Sequence, residues 1–242
     1  MIVRDAIIKS LEPREYKPTE PVLLWCSEIG TCPRKALFRI LGYESTWDPP
    51  LELREKFRYG VIIEDETARA LKEMYGEQLA TQLPLRNKFW SGKTDMVIGL
   101  NSNKPIIVEH KATSDTGFNY IPKETHVAQI VLYGMLFQEL YEKDPRLLLV
   151  YRSWSHYAEF EVVDKGEMVI CKGELDGEDF YREIPINITK AREYLEEHFS
   201  LQKLPDYCKW DECEWGGKPA CSYFQVCRSN SQPEQAVRWG DF

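Results

Sequence analysis

The chain has 242 residues, 43% hydrophobic and 12% aromatic, enough to bury one good core without requiring two domains. Its formal net charge of −8 argues against a protein that coats nucleic acid through bulk positive charge, because phosphate binding rests on local Lys and Arg; a carboxylate site that draws its positive charge from bound metal ions stays open. No run approaches the roughly 18 uninterrupted apolar residues of a membrane span, and the start MIVRDAIIKSLEPREYK lacks a basic leader with an apolar run, so no membrane association and a cytoplasmic location are expected.

Residues 1–22 are polar with three prolines and read as an N-terminal arm, the body starting near Leu23. From Ser27 the apolar spacing of Ile29, Ala36, Leu37, Ile40 and Leu41 suits a helix ended by Gly42, with Cys32 and Pro33 in its first turn. A second helix is expected over 51–76, with Phe57, Ile62 or Ile63, Ala68 and Leu71 on one side and Glu64 in its middle. Three β-like runs follow at 78–90, 94–99 and 105–111, with Asn101-Ser102-Asn103 as a turn. The stretch 124–141 is the strongest helix and 147–153 the strongest buried strand; strands at 158–163 and 167–173 and a helix near 188–199 complete an α/β body over 23–228. Residues 229–242 read as a flexible tail.

Seven cysteines (26, 32, 171, 208, 213, 221, 227) are an odd count, and four crowd into the last 35 residues. Under reducing conditions such a cluster favours metal over disulfides. Cys26 and Cys171 have apolar neighbours and read as small buried residues. His110, His126, His156 and His198 show no metal-ligand spacing.

In IIVEHKA a strand turns alternate side chains to one side, so Glu109 and Lys111 project together from an otherwise apolar segment. Burying such a pair is costly unless its members pair or bind an ion; the plain explanation is a salt bridge at a strand end. Asp95, in GKTDMVI, is also polar within an apolar run, and a neighbouring strand would bring it beside Glu109. Two carboxylates so placed offer hard oxygen ligands to Mg²⁺ or Mn²⁺, with Lys111 able to orient or deprotonate an attacking water or to steady developing charge. On the 124–141 helix Gln129 and Tyr133, at i and i+4, share a face; an ordinary polar fringe on an amphipathic helix is the alternative.

Asp95, thirteen intervening residues, then Glu109-His110-Lys111, followed by the Gln129-x-x-x-Tyr133 pair, resembles the RecB-like branch of the PD-(D/E)xK nuclease superfamily. The resemblance implies a restriction-endonuclease-like core, a central mixed sheet flanked by helices. It also implies metal-dependent hydrolysis of DNA phosphodiesters, as an exonuclease on single strands or ends in recombination, replication or CRISPR adaptation, whose proteins would be the partners. Gln129 and Tyr133 would then hold Lys111 or the DNA end. Where the family usually carries Gly, three residues and a metal-binding His, this chain has Gly60 and then Glu64, an acceptable hard ligand, with Asp65 or Glu66 as substitutes. That departure tilts the likeness towards phage-type exonucleases over the CRISPR-associated group.

Enzymes of this kind with an iron–sulfur cluster place one cysteine before the nuclease core and three after it, the last two with five residues between them, as Cys221 and Cys227 have. The resemblance implies Cys32, Cys213, Cys221 and Cys227 as ligands of a 4Fe–4S cluster, Cys208 substituting for Cys213, in a region over 205–228 that ties the chain ends together. Zinc in the same pocket and plain reduced cysteines are the alternatives. Arg34 and Arg58, ahead of Lys35, Arg39 and Lys93, are candidates for gripping phosphates, and Tyr120, Trp90 and Trp154 for stacking on unpaired bases. A non-catalytic DNA-end-binding or assembly subunit that keeps the fold is the rival reading, and a zinc-bearing scaffold a third.

Overall fold

In the middle of this chain strands are apolar on both faces, a pattern that requires cover on both sides of a sheet. A computed structural model describes residues 22–45, 50–205, 214–215, 218–219 and 221–229; nearly all of the expected arm and tail, together with Cys208 and Cys213, lie outside the described residues. Its elements in chain order are β1 (Leu24–Trp25), α1 (Pro33–Ile40), α2 (Leu51–Tyr75), β2 (Leu79–Arg86), β3 (Trp90–Ile98), β4 (Ile106–Ala112) and α3 (Glu124–Tyr141). Then come β5 (Arg146–Arg152), β6 (Tyr157–Asp164), β7 (Val169–Leu175), β8 (Glu178–Ile184), α4 (Ile188–Leu201), the short pair β9 (Glu214–Trp215) and β10 (Lys218–Pro219), and α5 (Phe224–Ser229).

The chain is a mixed α/β protein built on a central eight-stranded sheet, ordered β1-β3-β4-β5-β6-β7-β8 with β2 on the other edge of β3. The β1–β3 and β4–β5 pairs are parallel and the rest antiparallel. A parallel pair cannot be closed by a tight turn, and α3 supplies the crossover from β4 to β5. Val127–Tyr133 of α3 are buried without a gap, packing with Val97, Ile107, Leu149 and Tyr151 and with Ile188, Ala191 and Leu195 of α4. On the opposite face α2 sets Ala68, Leu71 and Tyr75 over Met96, Ile98, Val108 and Val150. Among the described residues no helix is long and apolar enough to cross a membrane.

Several expected boundaries move. The helix foreseen from Ser27 begins only at Pro33, with Cys32 as its N-cap; a 3-10 turn at Cys26–Glu28 and the left-handed Gly30 (φ 76°) precede it. Proline at the first helical position needs no amide partner, which favours this start. On α2 only Ile63 is buried, while Phe57 and Ile62 are more than half exposed. The run 78–90 is two strands, because Asn87 Oδ1 accepts from the Phe89 and Trp90 amides and turns the chain. Strand β8 was not foreseen: EDFYREI buries only Ile184 and carries no apolar alternation.

A two-residue period also fails once in the β2–β3 hairpin. Trp90 and Val97 lie in the same core cluster, as do Ala80 and Leu85 at its edge and interior, although odd spacings put strand residues on opposite faces. The break falls at Gln82 (φ 51°), which by register faces Asp95. A local reversal of pleat thus coincides with the acidic position.

The start of the body is clasped by an ion pair. Arg39 donates through Nε and Nη2 to both oxygens of Glu28 at 2.7 Å, donates again to the Leu23 carbonyl, and lies 3.8 Å from the Trp25 ring centroid. Glu28 Oε2 also accepts the Trp25 amide at 2.8 Å. Removing one partner of a largely buried pair leaves the other charge uncompensated, so Arg39→Ala is expected to cost about 3 kcal/mol in a denaturant melt. Arg39→Lys is expected to recover only part, since an ammonium cannot reproduce the two-pronged contact.

Candidate active site

Strands β3 and β4 form a fork. They pair only at Met96↔Val108, Val97↔Ile107 and Ile98↔Ile106, and the ladder stops short of Asp95 and Glu109. Further back, the same edge of β3 is taken by β1 at Trp90 and Ser91. In the gap the His110 amide, which has lost a ladder partner on that side, donates to Asp95 Oδ2 at 2.8 Å.

Beyond the fork β4 turns its side chains alternately. Lys111 Nζ lies 2.6 Å from Glu109 Oε1 and donates to Gln129 Oε1 at 3.1 Å; Gln129 Nε2 in turn donates to Tyr133 Oη at 3.1 Å. Gln129 and Tyr133 are buried, so they are not a solvated fringe of α3. His110 points to the other face, its Nε2 3.4 Å from Thr67 Oγ1 on α2. Glu64, half-buried on α2, accepts from Gln82 Nε2 at 2.8 Å and comes close enough to Asp95 for their charges to interact.

The electrostatics ask for a cation. Burial, then the neighbouring Glu109 charge, pushes Asp95 up to about 7; burial and then Asp95 push Glu64 up to about 7 as well. Glu109, only 1% exposed, is driven upward by burial against the pull of Lys111. Burial works to lower Lys111, but the Glu109 carboxylate beside it outweighs this and holds the ammonium above its ordinary range. Three ionised carboxylates against one ammonium leave net negative charge in a poorly solvated space.

Glu109 Oε2 is buried with no donor, and the Glu109 carboxylate is near enough to raise Asp95 by its charge. Hard oxygen donors with an orphaned acceptor among them fit a Mg²⁺- or Mn²⁺-type ion, which takes oxygen ligands and retains waters. Among the described residues no three carboxylate, imidazole or thiol groups already form a common ligand cage: Gln82 engages Glu64, the His110 amide engages Asp95, and Lys111 engages Glu109.

The substitutes for Glu64 lie elsewhere: Asp65 is exposed, and Glu66 is drawn to Arg152 at 3.5 Å and Arg69 at 3.9 Å. Arg34 is buried with its guanidinium 5.6 Å from the Phe38 ring centroid, Arg58 is exposed on α2, and Tyr120 is 73% exposed. Trp90 is fully buried and donates to Glu196 Oε1 at 2.6 Å, leaving no ring face for a base. A cavity of about 400 Å³ opens beside the Lys111 network, lined by Ser27, Arg86, Ser91, Lys93, Gln129 and Tyr133. Sequence reasoning missed Gln82, Ser91 and Arg86 here; their place depends on the β2–β3 register, which leaves no local signal.

Cys32 packs against Cys221 and Phe224, and Cys221 also packs against the cluster of Cys227, Phe38 and Tyr223. All three are free thiols: Cys32 caps α1, Cys221 precedes α5 and Cys227 lies within it. Cys26 and Cys171 sit apart in the main core, where burial pushes the Cys171 thiol up to about 12.

No family model and no curated protein matches the chain. The crystal structure of SSO0001 is similar over 96% of this chain and 98% of that one, with a TM-score of 0.50 and 18% identity. At that identity the likeness speaks for shared architecture: the mixed sheet and its flanking helices form an arrangement found in a second protein of nearly the same extent.

Proposed function

We propose that the chain is a Mg²⁺- or Mn²⁺-dependent deoxyribonuclease with a restriction-endonuclease-like core, acting as an exonuclease on single strands or DNA ends. The observation that carries this reading is the buried Glu109 carboxylate in the fork, close enough to Asp95 for their charges to interact, with Oε2 orphaned and Lys111 Nζ 2.6 Å from Oε1. A lone salt bridge at a strand end needs no second buried carboxylate against it.

Asp95, Glu109 and Glu64 would hold the ion. Bound there, a divalent ion polarises a phosphoryl oxygen and acidifies a water. Lys111, held by Gln129 and through it by Tyr133, orients the attacking water and balances charge on the phosphorane. Arg86 and Lys93, in no ion pair among the described residues, line the adjoining cavity and are suited to the flanking phosphates. Digestion of 5′- and 3′-labelled single- and double-stranded DNA with Mg²⁺ or Mn²⁺ tests the reading; no cleavage above a metal-free control overturns it.

The packing of Cys32 against Cys221, and of Cys221 against the cluster that holds Cys227, supports a 4Fe–4S cluster whose fourth thiolate is Cys213 or Cys208. Soft thiolates suit iron or zinc, and the two separate by colour: anaerobically purified protein is expected to be brown with broad absorbance near 400 nm, and Cys221→Ser to lose most of its iron. A colourless sample with stoichiometric zinc would end the cluster proposal.

A further inference from the structure

Tyr59 on α2 and Trp154 in the β5–β6 turn lie ring against ring, centroids 5.0 Å apart and planes 35° apart. Trp154 is nevertheless 84% exposed, and Ile62, on the same cavity wall, is more than half exposed. Single exposed apolar side chains are ordinary; here an exposed tryptophan is instead held ring against ring at the rim of a cavity. The ring pair borders an open cavity of about 620 Å³ walled by Ile62, Ile63, Glu66, Arg69 and Arg152. Its base is fixed, because Arg152 donates to Thr67 Oγ1 at 2.9 Å and so ties β5 to α2.

The ledge adjoins the carboxylates. A Cβ placed on Gly60, next to Tyr59, would lie 3.7 Å from that of Ala112, the residue after Lys111, and Glu64 lies just over one turn further along α2. The ring pair thus lies beside the end of β4 that carries Lys111. Arg58, exposed beside Tyr59, and Arg69 on the cavity wall supply guanidinium groups for a DNA backbone.

We propose that the Tyr59–Trp154 ledge stacks an unpaired base of a single-stranded DNA bound at the fork, an inference that rests on the nuclease reading for the path of the strand but not for its test. Any base offers a π-face, so the contact is sequence-tolerant, and a base held inside a duplex cannot make it.

The test is metal-free binding of the full chain, followed by fluorescence anisotropy, to a labelled short oligothymidylate and to a strand of equal length with abasic sites. Wild type is expected to prefer the intact strand. Trp154→Ala is expected to weaken that binding about tenfold and leave abasic binding unchanged, with Trp154→Phe staying close to wild type. Equal loss on both strands, no loss, or no wild-type preference for bases overturns the proposal. A change from dimer to monomer in Trp154→Ala, read by sedimentation, assigns the ledge to a second copy and also overturns it. A protein that passes this binding test and never cuts loses the nuclease reading alone; one that cuts but binds both strands alike loses the ledge alone.

Discussion

Lys111→Ala is expected to lower Mg²⁺-stimulated release of labelled nucleotide by about 10³-fold, the range for loss of a positioned acid–base or charge-stabilising group. The substitution acts twice, because Lys111 is also the charge partner of Glu109, which is 1% exposed. Without the ammonium that carboxylate is left uncompensated, and metal-free Lys111→Ala is expected to melt lower than wild type by about 3 kcal/mol. An ion that binds the folded form alone stabilises it by mass action, so added Mg²⁺ is expected to raise the variant's melting temperature more than that of wild type. Equal cleavage by wild type and variant would leave the pair a plain salt bridge.

Asp95→Asn is expected to abolish cleavage and yet stabilise the metal-free protein above neutral pH. Asp95 rises from an ordinary 3.8 to about 7 in the fold, and Glu64 from 4.5 to about 7. Between the unfolded and folded values these two carboxylates bind more protons in the native state than in the unfolded one, so their contribution to stability falls as pH climbs from about 4 to about 7 and stays low above that. The neutral amide removes the Asp95 share of this penalty, on the order of 2 kcal/mol after allowance for partial exposure. Urea melts at pH 5 and pH 8 check it: buried His110 and His126, lowered to about 4 and about 3, add stability with rising pH in both proteins, so the readout is the difference, the variant gaining on wild type over that interval. Cleavage by wild type is expected to rise through neutrality, as protons leave the carboxylates that a cation must occupy. A variant that gains nothing on wild type between pH 5 and pH 8 would show that Asp95 is not pressed against other carboxylates in solution.

Much of this was legible beforehand, for reasons that can be stated residue by residue. The 124–141 helix and the strands at 105–111 and 147–153 announce themselves through long apolar runs, and they appear within a residue or so of the expected bounds. Charged residues inside such runs stand out against their neighbours, which is why Asp95, Glu109 and Lys111 could be picked without coordinates. Weakly patterned elements did not announce themselves: two-residue β1 and polar β8 acquire their strand form by pairing with β3 and β7. The helix at Pro33 was placed too early because Ile29 fits a helical spacing that the left-handed Gly30 interrupts.

The sequence by itself determined which side chains are anomalous and which segments carry the apolar periodicity, because both depend on residues a few positions apart. Only the tertiary structure decided that β3 and β4 part after Met96↔Val108, that the pleat reverses at Gln82, that Glu64 reaches Asp95 from α2, and that Cys32 meets Cys221. Those outcomes are set by strand register and by the packing of segments up to nearly 190 residues apart. A one-residue change of register would turn Gln82 and Asp95 to the other face, and nothing in the local chain records which register is chosen.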